Sequence, residues 1–476
     1  MKPIIAVATS AQQTSSVRWA LVSLSLSMLL SSLGTSIANV GLPTLAQVFE
    51  ANFQQVQWVV IAYLLAITTL IVSAGRLGDI IGRRRLLLGG IGLFTLASVL
   101  CGLAPTLGLL IGARALQGLG AAIMMALTMA FVGETVSKAK TGSAMGLLGT
   151  MSAIGTAMGP ALGGLLIDGL GWRAMFLISV PLGLVTVWLA YHYLPVDRPQ
   201  PTAIVARFDS TGTLLLALTL AAYALAMTLG RGHFGPLNLG LLLAAGLGVG
   251  LFVFAESRIT SPLIRLALLR DPLLSGSLVM SALVMTVMMT TLVVGPFYLA
   301  RALDLDAVFV GMVMAAGPVV AALTGVPAGR MAERCGAQRM TLAGLIAMAV
   351  GCCVMSVLPE TFGIGGYVAP MVVITLGYGV FQTANNTAVM VNVPPDQRGV
   401  ISGLLNLSRN LGLITGASAM GAVFAWATNA AHFTTARPEV VAQGMRITFA
   451  VALGLIAIAL GAGLASQVMG KRGERQ

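Results

Sequence analysis

Two short charged segments lie between long apolar stretches and decide how the chain folds. The first reads Gly75-Arg76-Leu77-Gly78-Asp79-Ile80-Ile81-Gly82-Arg83-Arg84-Arg85. The second is a weaker copy, Gly329-Arg330-Met331-Ala332-Glu333-Arg334-Cys335-Gly336-Ala337-Gln338-Arg339. Glycine permits tight turns and close helix contacts, so each segment predicts a sharp connection between two helices. The repetition predicts a duplicated helical bundle.

The composition indicates that this bundle lies in a membrane. Of the 476 residues, 57% are hydrophobic and 9% are charged, whereas soluble domains carry about 25% charged residues. The apolar stretches are long enough to cross a hydrocarbon core of about 30 Å as helices. The sequence therefore predicts an all-α polytopic membrane protein. Its 57 glycines suit the close helix packing found in lipid.

The apolar stretches predict fourteen membrane-spanning helices. We place them at 18–42, 56–75, 86–104, 107–132, 142–168, 174–194, 209–230, 237–257, 273–300, 308–329, 340–358, 365–392, 398–428 and 445–468. An even number of spans puts both termini on the same side of the membrane. About 20 of the 27 Lys and Arg residues lie on that side. Such an excess of positive charge is typical of the cytoplasmic side of a plasma membrane. This bias accounts for the net charge of +12 without nucleic acid and leaves anionic membrane lipid as the partner of the basic loops.

The positions of the two charged segments predict how the helices are grouped. The segments follow the second and tenth spans, an offset that a duplicated six-helix unit with two inserted helices produces. The predicted parts are a cytoplasmic tail at 1–17, a six-helix bundle at 18–194, a cytoplasmic linker at 195–207, two inserted helices at 208–258, a second six-helix bundle at 259–468 and a cytoplasmic tail at 469–476.

Three stretches of the chain resemble motifs of the major facilitator superfamily of secondary transporters. The first is the charged segment at 75–85, which lies between the second and third spans. The second is Arg114-Ala115-Leu116-Gln117-Gly118-Leu119-Gly120-Ala121-Ala122. The third, Gly155-Thr156-Ala157-Met158-Gly159-Pro160-Ala161-Leu162-Gly163-Gly164, resembles the antiporter motif found mainly in exporters.

The resemblance covers essentially the whole chain, and the fourteen spans make it similar to the fourteen-helix drug–proton antiporters. It implies the major facilitator fold, which here consists of two six-helix bundles plus two inserted helices. It also implies alternating access, in which the two bundles rock around a site near the middle of the membrane.

The resemblance implies that the charged segments form a cytoplasmic gate. Glycines would permit the turn, and the acidic side chains would accept hydrogen bonds from neighbouring arginines. This gate would hold the cytoplasmic ends of the two halves together in the outward-open state. Its residues would be Gly75, Asp79, Gly82, Arg83, Arg84 and Glu333. The alternative is that the arginines only set the membrane topology.

The fourth and fifth spans carry residues that the resemblance assigns to coupling and to helix packing. Arg114, Gln117 and Gly118 would form a cavity wall or take part in proton coupling, because a charge within a membrane helix is costly. Alternatively, Arg114 only extends to the membrane surface. In the fifth span, glycines four residues apart predict a smooth face for close packing, beside a proline that permits a bend. These residues are Gly155, Gly159, Pro160, Gly163 and Gly164.

The first span departs from the pattern of the fourteen-helix drug antiporters at one position. Those proteins usually carry an aspartate where this chain has Gly34. A buried carboxylate can bind a proton or a cationic substrate, and glycine can do neither. All 15 acidic residues fall in predicted loops or near span ends, and the deepest charges, Arg114 and Arg409, are positive. We therefore expect a neutral or anionic substrate rather than a lipophilic cation.

Polar side chains at helical spacing predict the substrate cavity. They recur at intervals of four and three residues in the twelfth span and again in the thirteenth, and amide groups both donate and accept hydrogen bonds. The candidate cavity residues are Asn39, Tyr378, Gln382, Asn385, Asn386, Asn406 and Arg409. The alternative is that these groups join neighbouring helices by hydrogen bonds.

The sequence leaves the transported compound and its direction open. The leading interpretation is export of a small amphipathic, neutral or anionic compound, with protons as the coupling ion. The alternative is uptake or facilitated diffusion of a neutral or anionic metabolite, for example a flavin-like vitamin such as riboflavin. A membrane scaffold without transport is a third class. We expect a monomer with no cofactor or metal. We also expect that the protein is not an enzyme, because the sequence contains no recognisable nucleophile–base pair.

The gate assignment predicts that Asp79→Asn impairs transport while the protein still inserts into the membrane. The amide keeps the shape of the side chain but removes the charge that the arginines would hold. Because a hydrogen bond to a charged group contributes about 1.5–3 kcal/mol, we expect the transport rate to fall roughly tenfold or more. Solute flux per inserted protein in proteoliposomes measures this, and a wild-type rate at equal insertion would exclude the gate role.

Overall fold

Helices make up nearly all of the described chain. The computed structural model describes residues 3–135, 141–197, 209–229, 235–259, 266–357, 362–390, 398–428 and 437–473. The helices are α1 (Pro3–Val40), α2 (Leu42–Val48), α3 (Phe53–Ile81), α4 (Arg83–Leu103), α5 (Leu107–Thr135), α6 (Thr141–Leu170), α7 (Ala174–Leu177), α8 (Ser179–Tyr193), α9 (Ser210–Thr228), α10 (Pro236–Arg258), α11 (Pro272–Arg301), α12 (Ala307–Cys335), α13 (Ala337–Val357), α14 (Gly363–Met390), α15 (Arg398–Thr415), α16 (Gly421–Thr428) and α17 (Pro438–Gly473). A 3₁₀ helix at Leu266–Arg270 precedes α11, and a π-helix at Gly416–Met420 joins α15 to α16.

Fourteen segments of these helices are long and apolar enough to cross a membrane, which confirms the predicted number. The predicted tail at 1–17 is helical from Pro3, because α1 extends well before the first span. At the other end, α17 continues past the last predicted span to Gly473. Helices α1–α8 form the first half, α9 and α10 are the inserted pair, and α11–α17 form the second half. Residues 198–207 of the predicted linker lie outside the described residues, and the predicted domain boundaries remain predictions.

Each charged segment is a helix joint of one residue rather than a loop. Gly82 lies between α3 and α4 with φ of 105°, and Gly336 lies between α12 and α13 with φ of 89°. Side chains strongly disfavour such φ values, so both joints require glycine. Gly75 and Gly78 lie inside α3 and do not form the turn. A Cβ on Gly78 would come within 2.7 Å of Leu127 in α5, whereas Gly75 has open space around it.

The glycine face of α6 packs against α1. A Cβ on Gly155 would come within 2.5 Å of the Leu29 carbonyl oxygen. A Cβ on Gly159 would overlap the Ser36 side chain and lie 2.9 Å from the Ile37 nitrogen. Side chains at these positions would push the helices apart, so the glycines set the distance between α1 and α6, as the spacing predicted.

An adjacent face of α6 joins the first half to the second. A Cβ on Gly311 of α12 would lie 2.5 Å from the Pro160 carbonyl oxygen and 3.2 Å from the Gly164 Cα. Backbone therefore meets backbone where the halves touch. This contact lies toward the end of the bundle where α6 ends and α12 begins. We call this the far end, and we call the end that carries Gly82 and Gly336 the basic end.

The inserted helix α9 lies along α3 and reaches the second half. Near the basic end, the hydroxyl oxygens of Ser73 and Thr213 are 2.9 Å apart. Near the far end, Trp58 Nε1 donates a hydrogen bond to Thr228 Oγ1 at 3.0 Å. Helix α9 also packs against the π-helix of the second half, while α10 packs mainly on α9. The exposed face of α10 carries large apolar side chains, as a lipid-facing helix requires: Leu237, Leu239, Leu243, Leu247, Leu251 and Phe254.

The packing of α6 predicts that Gly159→Ala destabilises the protein. The added methyl group would overlap Ser36 and press on the backbone of α1, and overpacking of this kind costs about 1–3 kcal/mol. Thermal unfolding of the detergent-solubilised variant measures the loss. Gly169→Ala in the same helix is the matched control, because a Cβ there meets no atom within 4 Å. Equal melting temperatures for the two variants would contradict the packing argument.

Candidate functional site

Arg114 is fully buried inside the first half of the bundle. Its Nε donates to the Val59 carbonyl oxygen in α3 at 2.9 Å, and its Nη2 donates to the Gly34 carbonyl oxygen in α1 at 3.0 Å. Its Nη1 donates to Gln117 Oε1 at 2.5 Å. The side chain therefore lies among three helices and does not extend to the bundle surface, so the surface alternative for Arg114 is wrong.

Gln117 and Tyr63 extend this cluster to further helices. Gln117 Nε2 donates to Ser98 Oγ in α4 at 2.7 Å. The Arg114 guanidinium lies 4.1 Å from the centre of the Tyr63 ring, a cation–π geometry. Tyr63 Oη in turn donates to the Ser31 carbonyl oxygen in α1 at 2.7 Å. Together these contacts join α1, α3, α4 and α5, and we call the residues Gly34, Tyr63, Ser98, Arg114 and Gln117 the arginine cluster.

Two glycines make room for the arginine cluster. A Cβ on Gly34 would lie 2.9 Å from Tyr63 Oη and 3.3 Å from the Phe94 ring. A Cβ on Gly118 would overlap the Tyr63 carbonyl oxygen, so this glycine lets α5 approach α3. Aromatic groups thus lie against Gly34, the position at which the motif comparison expected an aspartate. The three hydrogen bonds of Arg114 go to neutral oxygens, so these bonds leave its positive charge uncompensated.

The predicted polar stripe of α14 divides into two parts. Asn385 is buried against α11, where its Oδ1 accepts from Ser277 Oγ at 2.8 Å and its Nδ2 donates to Ser281 Oγ at 3.1 Å. It therefore joins two helices, which was the alternative to a cavity role. Gln382 is half-buried and donates to Asn386 Oδ1 at 3.2 Å, and its own Oε1 accepts no hydrogen bond from the described residues.

The remaining cavity candidates have different degrees of exposure. Tyr378, Asn406 and Arg409 are half-buried. Asn39 is fully buried and turns back onto its own helix, because its Nδ2 donates to the carbonyl oxygens of Thr35 and Ser36. Asn39 is thus enclosed within the first half, and a ligand in an open cavity cannot reach it in this conformation.

The acidic part of the gate prediction lies outside the described residues, which do not include the side chains of Asp79 and Glu333. The described part shows a contact that the sequence did not reveal. Asp197, at the start of the predicted linker, accepts hydrogen bonds from the backbone nitrogens of Arg84 at 2.9 Å and Arg85 at 3.2 Å. A carboxylate at a helix N-terminus is favourable, so Asp197 attaches the linker to the first residues of α4. A Cβ on Gly82 would lie 2.5 Å from Asp197 Oδ2.

Residues of both halves form a second contact at the far end, which we call the inter-half seal. The Phe53 ring lies edge-on to two rings of the second half, with centroids 4.7 Å from Phe297 and 5.3 Å from Phe424. Buried Gln57 donates from Nε2 to the Ala417 carbonyl oxygen in the π-helix at 2.8 Å. The sequence did not predict the seal. The only residue that indicated it was Gln57, a polar residue inside an apolar span.

These features define a helical membrane transporter with two six-helix halves, an inserted helix pair and a buried arginine in the first half. The chain belongs to the Major Facilitator Superfamily, whose family model matches residues 24–417. The family predicted from the three motifs is thereby confirmed. The protein is a membrane transporter for a small molecule and not an enzyme.

Comparison with known proteins gives relatives of two kinds. The chain is 30% identical over 405 residues to the riboflavin transporter RibZ of Clostridioides difficile (strain 630), covering 85% of this chain and 88% of that protein. It is 32% identical over 418 residues to the drug efflux pump JefA of Mycobacterium tuberculosis (strain ATCC 25618 / H37Rv), covering 85% and 80%. A bacterial homolog of the human lysosomal transporter Spinster, solved in an inward-facing and unoccupied conformation, matches the fold with a TM-score of 0.70 at 15% identity, covering 96% of this chain and 98% of the other.

The packing around Gly34 changes the expectation for Gly34→Asp. From the sequence alone, this substitution would leave folding intact and raise the export of lipophilic cations. In the structure the new side chain meets buried Tyr63 and Phe94 beside Arg114, so we expect a loss of about 1–3 kcal/mol of stability from overpacking. Arg114 would also attract the new carboxylate and weaken its hold on a cation. Thermal unfolding and cation efflux measure the two effects, and strong cation export by a fully stable variant would contradict this expectation.

Proposed function

We propose that the protein exports a small amphipathic compound, neutral or anionic, from the cytoplasm by alternating access, and that proton antiport drives the export. Family membership supports transport by two halves that move around a central site. The observation that carries the alternating-access part is the inter-half seal, where Gln57 and Phe53 of the first half contact Ala417, Phe297 and Phe424 of the second half.

The distribution of basic residues supports an orientation for the seal. Arginine and lysine concentrate at the basic end, which the positive-inside bias assigns to the cytoplasm. Both termini then lie in the cytoplasm, and the seal lies toward the outside. A transporter whose halves meet at the outer end has its central site directed toward the cytoplasm, so we infer that this conformation is the one that takes up substrate for export.

The charges inside the bundle support the substrate class. Arg114 is buried with three neutral hydrogen-bond partners, and Arg409 is half-buried on α15. A positive charge in low-dielectric surroundings repels a lipophilic cation and attracts an anion more strongly than it would in water. The half-buried amides of Gln382, Asn386 and Asn406 offer both donors and acceptors to a polar neutral group.

The relatives support efflux and also favour one alternative. JefA carries the name of a drug efflux pump, and the glycine–proline stretch of α6 resembles the antiporter motif of exporters. RibZ carries the name of a riboflavin transporter, and this chain lacks the first-span aspartate of drug antiporters. Movement of a flavin-like neutral metabolite without proton coupling is therefore the second candidate function.

Transport in proteoliposomes tests the proposal. Purified protein is reconstituted and assayed with and without an imposed pH gradient, using riboflavin, the lipophilic anion fluorescein and the lipophilic cation tetraphenylphosphonium. The proposal expects gradient-driven movement of the neutral or anionic probe and much slower movement of the cation. Riboflavin movement that ignores the gradient would support the second candidate, and gradient-driven movement of the cation alone would overturn the substrate class.

The seal predicts that Gly421→Ala hinders closure of the outer end. The added methyl group would overlap the Gln57 amide, which would have to leave its hydrogen bond to Ala417. Overpacking of this kind costs about 1–3 kcal/mol, so we expect transport to slow roughly tenfold, measured as solute flux per inserted protein in proteoliposomes. Gly403→Ala in the same span is the control, because a Cβ there meets no atom within 4 Å. If both variants transport at the wild-type rate, the seal takes no part in the transport cycle.

A further inference from the structure

A surface furrow runs between α4 and α8, two antiparallel helices of the first half that pack side by side. A Cβ on Gly183 of α8 would overlap the Thr95 side chain of α4, so the two backbones are close midway along the pair. At the basic end, Arg84 Nη2 donates a hydrogen bond to the Tyr191 carbonyl oxygen. The helices therefore stay in contact from the middle of the bundle to the basic end.

Open glycines on α4 and large apolar side chains on α8 line this furrow. A Cβ on Gly89 or Gly92 of α4 would meet no atom within 4 Å. Leu184 and Trp188 are exposed on α8. We call these four residues the α4–α8 furrow. Bare backbone beside large side chains leaves a channel along the surface of the bundle, and its apolar lining suits an acyl chain.

Cations lie at the basic end of the α4–α8 furrow. Arg85 is exposed and, at helical spacing, shares a face of α4 with Gly89 and Gly92. The Arg84 guanidinium lies 5.3 Å from the centre of the Tyr191 ring. Asp197 accepts hydrogen bonds from the backbone nitrogens of both arginines. Among the described residues, this carboxylate offsets one of their two positive charges, so the end of the furrow stays positive.

Aromatic side chains surround the same end of the furrow. The Trp188 ring lies edge-on to Tyr193 with centroids 6.4 Å apart, and Tyr193 stacks on Trp19 of α1 at 6.0 Å. The apolar spans of α1, α4 and α8 begin or end here, at Val17, Arg83 and Tyr193. Tryptophan and tyrosine collect at the boundary between membrane and water. The cations therefore lie at the depth of lipid headgroups, and the furrow runs from them into the hydrocarbon.

The second half shows the same corner without these features. Aligning the two helix joints pairs Arg85 with Arg339 and Gly92 with Ile346. Arg339 is exposed like Arg85, but the exposed Ile346 side chain occupies the place that Gly92 leaves open. Helix α17, which packs on α13 as α8 packs on α4, carries no tryptophan or tyrosine in residues 438–473. A basic corner alone therefore does not produce the furrow and its aromatic surround.

We propose that the α4–α8 furrow binds one anionic phospholipid from the membrane. Its phosphate lies at Arg84 and Arg85, because guanidinium groups match the geometry of phosphate oxygens. One of its acyl chains lies along Gly89 and Gly92. The charge bias of the sequence assigns anionic lipid to the basic loops as a whole, whereas this site is one place for one molecule. The bound lipid braces the start of α4, next to the joint at Gly82.

Native mass spectrometry of the purified protein tests the headgroup. The protein is incubated with equal amounts of phosphatidylglycerol and phosphatidylcholine that carry the same acyl chains. Both lipids contain a phosphate, but the choline group cancels its charge. We expect the wild type to retain one phosphatidylglycerol with at least fivefold preference. Equal retention of the two lipids would overturn the anionic class, and displacement of the lipid by inorganic phosphate would show a site for a free anion instead.

Two arginine variants separate the site from general attraction to the basic end. Arg85→Gln should lower phosphatidylglycerol retention about fivefold, the effect of one basic residue at an anionic surface. Arg339→Gln removes the same charge at the same end and should leave retention unchanged. A ligand that binds the folded state raises the unfolding temperature, so added phosphatidylglycerol should stabilise Arg339→Gln more than Arg85→Gln. Equal losses of retention in the two variants would overturn the site.

A glycine variant tests the place of the acyl chain. Gly92→Leu fills the furrow without a clash, because the new Cβ meets no atom within 4 Å. We expect it to lower phosphatidylglycerol retention at least fivefold. Gly461→Leu is the matched control, since Gly461 is also exposed and its Cβ would likewise meet no atom within 4 Å. Wild-type retention in Gly92→Leu would overturn the acyl-chain assignment.

Photocrosslinking then locates the lipid in the full-length protein in proteoliposomes. Phosphatidylglycerol with a diazirine group in one acyl chain is activated by light, and mass spectrometry maps the adducts. We expect them to concentrate within residues 85–96 of α4 and 184–193 of α8. Adducts spread evenly over the other exposed helix faces, such as that of α10, would overturn the location. The outcome does not depend on which compound the protein transports.

Discussion

The close approach of helix backbones at glycine is the constraint on which the rest of this structure depends. Lipid tails are as apolar as leucine, so helices in a bilayer gain little by burying apolar side chains against one another. They gain by packing closely, and α6 does so on two adjacent faces. Gly155 and Gly159 admit the backbone of α1, and Gly164 meets Gly311 of α12 across the two halves. One helix thus fixes the interior of the first half and its contact with the second.

The first half combines a rigid interior with a contact that can open. The arginine cluster joins four helices by hydrogen bonds and a cation–π contact around a buried guanidinium, and breaking these contacts would leave a charge in a dry interior. The inter-half seal has a different chemistry. It consists of aromatic edges and a hydrogen bond from Gln57, and water can replace that bond when the halves separate. A firmly held interior and a weaker contact between the halves are what two halves need in order to move as units around a central site.

The sequence predicted what depends on local pattern. Apolar length gave the fourteen spans, and the spacing of Gly155, Gly159 and Gly163 predicted the packing face of α6, because both signals lie within one helix. It did not predict which partner each polar group would find. Asn385 fits a cavity and a helix contact equally well by spacing, and only the position of Ser277 and Ser281 on α11 decides between them. The contacts of Gln57 and Asp197 were missed for the same reason, since their partners lie far away in the chain. The gate residues Asp79 and Glu333 remain a prediction.

The inserted helix pair makes the two flanks of the transporter unequal. On one flank, the backbones of α6 and α12 meet directly. On the other flank, α9 lies over α3, is tied to it near both ends by Ser73 and Trp58, and reaches the π-helix of the second half. When one half tilts against the other, α9 must therefore move with the first half or the π-helix must slide along α9. The inserted pair therefore resists movement on one side of the bundle only. The contacts that α9 makes with both halves must change in every transport cycle.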